Sequence, residues 1–354
     1  MNLQTLFSIE QYSLSHEEKA EILLKGLNEL SRYHLEHCQE YSRLISVIHP
    51  GLRDAATLNQ IAYFPVTLFK SHKLTSIPDS EIFRVLTSSG TTSQTVSKIY
   101  LDRETAQRQT VALVKIMTCV LGQKRLPMII VEKRDLFKNR ESFSARVAGV
   151  LGMMNFGRDY FYALDENMEL DESGVKDFLK QHGDSPFLLF GFTFVVWRYF
   201  LARLLNSGLD LSKGILIHSG GWKKLSEERV DNNEFKSRFE QATGLTRIYN
   251  FYGMAEQVGS IFLEGENGHL FPPNYADVIV RDPETWEEAP IGKPGVIQVL
   301  SLLPASYPGH SILTEDLGVV HGIDNSPCGR RGKHFSVIGR APAAELRGCG
   351  DTSA

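Results

Sequence analysis

Apolar residues recur along this chain at two different periods, and the period changes twice. Near the start, Leu23, Leu27, Leu30, His34, Cys38, Tyr41 and Leu44 return at steps of three or four, the spacing of one helix face. A start signal precedes them. Ser15 followed by Glu18 three residues on is a capping box, in which each side chain meets the other residue's backbone N–H. His34 and Cys38 lie on the stripe and read as core residues. Pro50-Gly51 and Pro65 punctuate the segment after the stripe.

From about residue 84 to 263 short apolar runs alternate with helical stretches. Lys98 to Leu101, Met128 to Val131, Phe187 to Phe190, Ile215 to His218 and Arg247 to Phe251 read as strands. Asp102 caps a helix whose face is Gln109, Leu113, Ile116, Met117 and Val120. Further helices are predicted over Ser142 to Leu151, Asp171 to Gln181, Phe192 to Leu205 and Ser226 to Thr243. Strands alternating with helices imply a parallel sheet covered on both faces, with ligands at the carboxyl ends of the strands.

After residue 265 the texture becomes β-rich, with strands at Ala276 to Arg281 and Gly295 to Ser301 between Pro- and Gly-rich turns. The expected fold class is α/β, divided into a helical segment at 1–83, an α/β core at 84–263, a β-rich subdomain at 264–336 and a mobile tail at 337–354.

Composition narrows the function. Lys plus Arg is 38 against 42 Asp plus Glu, a net charge of −4, which disfavours a general nucleic-acid binder. The longest uncharged apolar stretch, Phe187 to Trp197, falls short of the roughly 20 residues that span a bilayer. No basic-then-apolar leader opens the chain. Four cysteines without a CxxC pair fit neither a disulfide scaffold nor a zinc site, so a reducing cytoplasm is the expected setting. His34 and His37 stand three apart on a helix, but His34 belongs to the apolar face, so no metal site is expected there.

The strongest chemical signal is Thr87-Ser88-Ser89-Gly90-Thr91-Thr92-Ser93. It offers hydroxyls and backbone N–H groups to an anion, and its glycine permits close approach. Lys98 comes next as a candidate cation. The loop is not a Walker motif, because no Gly-Lys-Ser/Thr closes it. Four more motifs succeed it in order. Two end predicted strands: His218-Ser219-Gly220-Gly221-Trp222 and Asn250-Phe251-Tyr252-Gly253-Met254-Ala255-Glu256. Glu256 there is placed to hold Mg²⁺ together with substrate phosphates, and Tyr252 to stack on a flat base. Thr314-Glu315-Asp316 offers a carboxylate to ribose hydroxyls. Ile338-Gly339-Arg340 comes last.

These five motifs, in this order, resemble the adenylate-forming superfamily of acyl-CoA synthetases, luciferases and adenylation domains. The resemblance implies ATP and Mg²⁺ as cofactors. Phosphates fall to Ser88, Ser89, Gly90, Thr91, Thr92 and Ser93, and the adenine to Gly220, Gly221, Tyr252 and Gly253. Glu256 falls near the metal, Asp316 at the ribose and Arg340 at a hinge. The sequence differs from the superfamily at Ala255, where Thr or Ser is usual, at Glu315, where Gly is usual, and at Ala341-Pro342 in place of an acidic hinge. The phosphate loop also lacks the usual Pro-Lys-Gly.

The chain stops shortly after Arg340, where most members continue into a lid domain carrying a catalytic lysine. With Phe251-Tyr252-Gly253-Met254-x-Glu256-Gln257 and a final Arg347-Gly348-Cys349-x-Asp351, it is similar to the acyl-protein synthetases of the luminescence fatty acid reductase complex. The implied fold is an adenylate-forming large domain with parallel-sheet subdomains, a small β-rich subdomain and a truncated lid. The implied reaction activates a long-chain fatty acid as acyl-AMP and moves it to Cys349. From there it passes to an acyl reductase, with an acyl transferase as the complex's other partner. Two other readings stay open: an acyl- or aryl-CoA ligase of the phenylacetate type, and a non-catalytic subunit of the same fold. Residue chemistry bears on Cys349 separately. Arg347 favours its thiolate, Asp351 opposes it, and the flanking glycines supply mobility. The Phe-rich run Phe187 to Phe200 reads equally as an acyl tunnel or as a buried core.

Overall fold

The capping box forms as expected. Ser15 Oγ accepts from the Glu18 N–H at 3.2 Å and Glu18 Oε2 accepts from the Ser15 N–H at 2.8 Å. This is seen in a computed structural model that describes residues 3–88, 96–137, 145–222 and 230–341. The helix His16–His37 ends at Cys38, whose backbone turns extended, and Gln39–Ile48 begins a second helix. The break corrects the single stripe. Ser31 and Ile45 are buried where Leu30 and Leu44 were expected. Ser31 tolerates burial because its hydroxyl hydrogen-bonds His310 Nε2 at 2.9 Å.

The chain forms two units. One, Thr118–Tyr252, carries five strands among its described residues, all pairing with one another in parallel. They are Leu126–Lys133, Gly157–Leu164, Phe187–Phe192, Gly214–Ser219 and Ile248–Tyr252. Numbered along the chain, their spatial order is second, first, third, fourth, fifth. Such an order reverses between the first and third strands, and crevices at carboxyl strand ends are where α/β sheets bind ligands. The sheet is covered by Ala145–Met154, Glu172–His182, Thr193–Leu204 and Asn232–Thr243. The last starts later than Ser226, because Asp231 accepts from the Glu234 N–H at 2.8 Å and fixes the N-cap there. Thr193–Leu204 contains a π turn at Val196–Leu201. Phe187 and Phe200 are fully buried in one apolar cluster with Leu189, Leu216 and Phe239. The Phe-rich run is thus packed core at these positions.

The other unit joins Met1–Met117 to Gly253–Ala354. Its sheet is antiparallel, in the order Ala276–Arg281, Pro294–Ser301, Ser311–Ile323, Lys333–Arg340, Leu270–Phe271, Phe262–Glu264. The short strand Phe64–Pro65 adds in parallel to Ser311–Ile323. Helix His16–His37 packs Leu23 and Leu27 on Ile279 and Leu300. A separate hairpin pairs Arg84–Thr87 with Lys98–Leu101. Val337 to Arg340, expected in the tail, belong instead to a strand. Among the described residues no helix is long and apolar enough to cross a membrane.

Candidate active site

In the antiparallel unit the strand-to-turn motif leads into a single short helical turn, Ala255–Gln257. It holds Glu256 at 7% exposure. Burial pushes the carboxyl pKa above its ordinary value. The Ser97 hydroxyl and the Glu256 backbone N–H pull it back down, and so do the Lys70 and Arg340 charges. The Ser97 hydroxyl closes no hydrogen bond of standard geometry among the described residues, so its effect on Glu256 is that of a nearby polar group.

Ser97 also ties down the hydroxyl-rich loop. The Ser97 N–H donates to Ser88 Oγ at 3.0 Å, and the Ser88 N–H donates to the Ser97 carbonyl at 3.1 Å. Both ends of the loop are therefore pinned, and one of them lies beside Glu256. Ser89, Gly90, Thr91, Thr92 and Ser93 lie outside the described residues. Lys98, next after Ser97, is exposed and pairs across the hairpin with Thr87.

Asp316 and Arg340 stand opposite each other on adjacent strands. Arg340 Nε lies 3.6 Å from Asp316 Oδ1. Thr314 Oγ1 accepts from the Asp316 N–H at 3.1 Å and donates to the Ile297 carbonyl at 2.8 Å, which fixes the backbone under the carboxylate. Arg340 thus stands between two acids, and the fold gathers Ser88, Glu256, Asp316 and Arg340 from four separate motifs. Sequence reasoning missed Ser97, one residue before a strand, and Lys70, on the short helix Leu68–Ser71, which no pattern marked. It also missed Tyr307, buried beside Glu256 in a Pro-Gly turn.

In the parallel unit, Gly220 and Gly221 come directly after the strand Gly214–Ser219, and Tyr252 ends its neighbour Ile248–Tyr252. Both lie at carboxyl strand ends. Gly220 has φ +87°, a left-handed conformation that favours glycine. His218 is buried and stacks on Phe235 with ring centroids 4.6 Å apart, and its Nδ1 meets Thr193 Oγ1 at 3.0 Å. Burial pushes its pKa down to about 3, so it is neutral near pH 7.

Among the described residues no group of three or more His, Cys, Asp or Glu side chains is arranged to hold a metal ion. A lone carboxylate such as Glu256 instead fits Mg²⁺ brought in by phosphates, a cation that needs only one or two protein carboxylates. Cys349 lies outside the described residues. Of the others, Cys38 is buried, Cys328 half-buried and Cys119 exposed.

The acyl-protein synthetase, LuxE, family matches residues 3–354. The chain belongs to that family. This acyl-protein synthetase is therefore a ligase, and the reading as a non-catalytic subunit is set aside. It is 24% identical to the long-chain-fatty-acid–luciferin-component ligase of Aliivibrio fischeri, over 97% of this chain and 91% of that one. The protein of the same name from Vibrio harveyi is also 24% identical, over 96% and 89%. Among solved structures it is similar to 2-hydroxyisobutyryl-CoA ligase in an open conformation with 2-HIB-AMP and CoA. The TM-score is 0.70 at 20% identity, covering 93% of this chain and 71% of that one. The synthetase has the fold of adenylate-forming acyl-CoA ligases.

Proposed function

We propose that this synthetase activates a long-chain fatty acid with ATP as acyl-AMP, carries the acyl group on Cys349 as a thioester, and delivers it to an acyl reductase in the cytoplasm. An acyl transferase is the expected source of the acid. The names of the two bacterial relatives support the acid class. The observation that carries the chemistry is the gathering of Glu256, Arg340, Asp316 and the Ser88–Ser97 loop base in one unit.

In the first step a fatty carboxylate oxygen attacks the α-phosphorus of ATP, and the bond to pyrophosphate breaks. Charge builds on the departing oxygens. The hydroxyl-rich loop from Ser88 to Ser93 supplies donors of the right chemistry, and Lys70 and Lys98 supply cations, for that developing charge. Glu256 would hold Mg²⁺ on the protein side, and the ion would supply charge neutralisation at the phosphates. Gly220, Gly221, Tyr252 and Gly253 take the adenine, and Asp316, steadied by Arg340, takes the ribose hydroxyls. In the second step the Cys349 thiolate, having lost its proton to solvent, attacks the acyl carbon, and AMP leaves.

Acid-dependent exchange of pyrophosphate into ATP is the direct test. Exchange is expected with long-chain acids in a panel running from acetate to myristate and arylacetates. Exchange with no member of the panel would sink the reading. Asp316→Ala should raise the KM for ATP more than it lowers kcat, because a ribose contact acts alike in ground and transition states. An unchanged KM for ATP would remove Asp316 from the nucleotide site.

A further inference from the structure

Tyr307 is fully buried, and its hydroxyl closes no hydrogen bond of standard geometry among the described residues. The Val258 N–H faces its oxygen, and the Glu256 carboxylate is near enough to oppose its ionisation. A tyrosine hydroxyl is an ordinary hydrogen-bond donor at neutral pH. A buried, unsatisfied hydroxyl works against folding, so its persistence asks for an explanation.

The loop around it is held from several sides. The Gly309 N–H donates to the Tyr307 carbonyl at 2.7 Å. A Cβ on Gly309 would come within 2.3 Å of the Tyr307 ring and 2.9 Å of the Glu256 backbone carbonyl oxygen, so the ring and the backbone of the Glu256 turn approach each other across a position only glycine fits. The Gln257 side-chain amide donates to the Gly309 carbonyl at 2.9 Å and binds the Glu256 turn to this loop. Ser306 Oγ donates to the Tyr100 carbonyl at 2.9 Å, which anchors the loop to the strand that begins just after Ser97. Phe69 packs edge-on against the ring at 6.1 Å. The ring is fixed, and its one uncommitted polar atom shares a buried site with Glu256.

We propose that Tyr307 is a positioning residue for Glu256: in the nucleotide-bound enzyme its hydroxyl donates to the Glu256 carboxylate and holds it in the ligating orientation. This role rests on the proposed place of Glu256 at the nucleotide. Ser97 supplies the second uncommitted hydroxyl at the same carboxylate.

Tyr307→Phe removes one oxygen and keeps the ring against Gly309 and Phe69. The ligand-free variant is expected to melt at the wild-type temperature or above, since an unsatisfied polar atom is gone. Its pyrophosphate exchange should fall about tenfold, the scale of one hydrogen bond to a charged group. Affinity for a non-hydrolysable ATP analogue with Mg²⁺, measured by calorimetry, should weaken in parallel. In a Glu256→Gln background the same substitution should change exchange less than about twofold, because the two residues act as one unit. A lower melting temperature with equal losses in both backgrounds would make Tyr307 a packing residue and overturn the proposal, as would unchanged exchange in Tyr307→Phe. Unchanged exchange in Glu256→Gln alone would overturn the Glu256 reading itself, and this proposal with it.

Discussion

A Cys349→Ser chain is expected to exchange pyrophosphate into ATP at the wild-type rate and to lose all hydroxylamine-sensitive labelling by a radioactive fatty acid. The two halves separate because, in the proposed reaction, activation and transfer use different nucleophiles. Activation needs only the acid's own carboxylate. Transfer needs a thiolate, and a serine hydroxyl at the same place is almost wholly protonated at neutral pH and far less nucleophilic. A neighbouring arginine such as Arg347 is the kind of group that favours a thiolate over a thiol. Cys119 is the control that matters most, because it is exposed, whereas Cys38 is buried at 3% exposure. Cys119→Ala, Cys328→Ala and Cys38→Ala chains should all keep their label. Label that persists on Cys349→Ser would move the acyl acceptor elsewhere. Efficient acylation of free CoA by that variant would turn the enzyme into a CoA ligase.

Glu256→Gln should lower acid-dependent exchange by an order of magnitude or more, the scale of losing one preorganised electrostatic group. The amide keeps the shape and drops the charge. Lys70 and Arg340 then face a neutral group, and the phosphates lose the protein's carboxylate link to Mg²⁺. Stability should move the other way. The folded-state pKa of Glu256 is raised, so it contributes stability below the unfolded carboxylate range and loses it as pH rises through the folded value. At neutral pH the buried charge is a cost that Gln removes. The ligand-free variant should therefore melt no lower than wild type, in a thermal scan at pH 7.5. A variant with full exchange activity would take Glu256 out of the reaction, and one that melts far lower would show the charge to be structural.

Both variants target residues legible in the sequence, because each sits in a local pattern. Glu256 ends a strand-turn run, and Cys349 lies between glycines in a short motif. The loop base was half legible. Its composition marked Ser88 to Ser93, but the pin that places it is Ser97, a serine with nothing in its surroundings to single it out. Lys98 drew attention as the nearest cation in sequence. In the fold Lys70 and Arg340 are the charges that act on Glu256, having come from other segments.

What the sequence determined by itself is whatever depends on neighbours within a turn or two of chain. The capping box at Ser15, the caps at Asp102 and Asp171, and the strands and helices from Leu126 to Tyr252 arise from spacing, apart from the strand Gly157–Leu164, whose polar Arg158-Asp159 start hid it from the apolar pattern. Periodicity is a local property, and these elements obey it. Pairing across a sheet is not local. Arg340 looked like part of a glycine-rich tail until a thirteen-residue strand, Ser311–Ile323, set Asp316 opposite it. Ser31 took a buried place from Leu30 because His310, 279 residues on, accepts or donates its hydrogen bond. Tyr307 has no pattern of its own, and only packing across Gly309 brings it to Glu256. Hydrogen bonds and burial between distant segments are selected by the closed fold, and no window along the chain contains both partners.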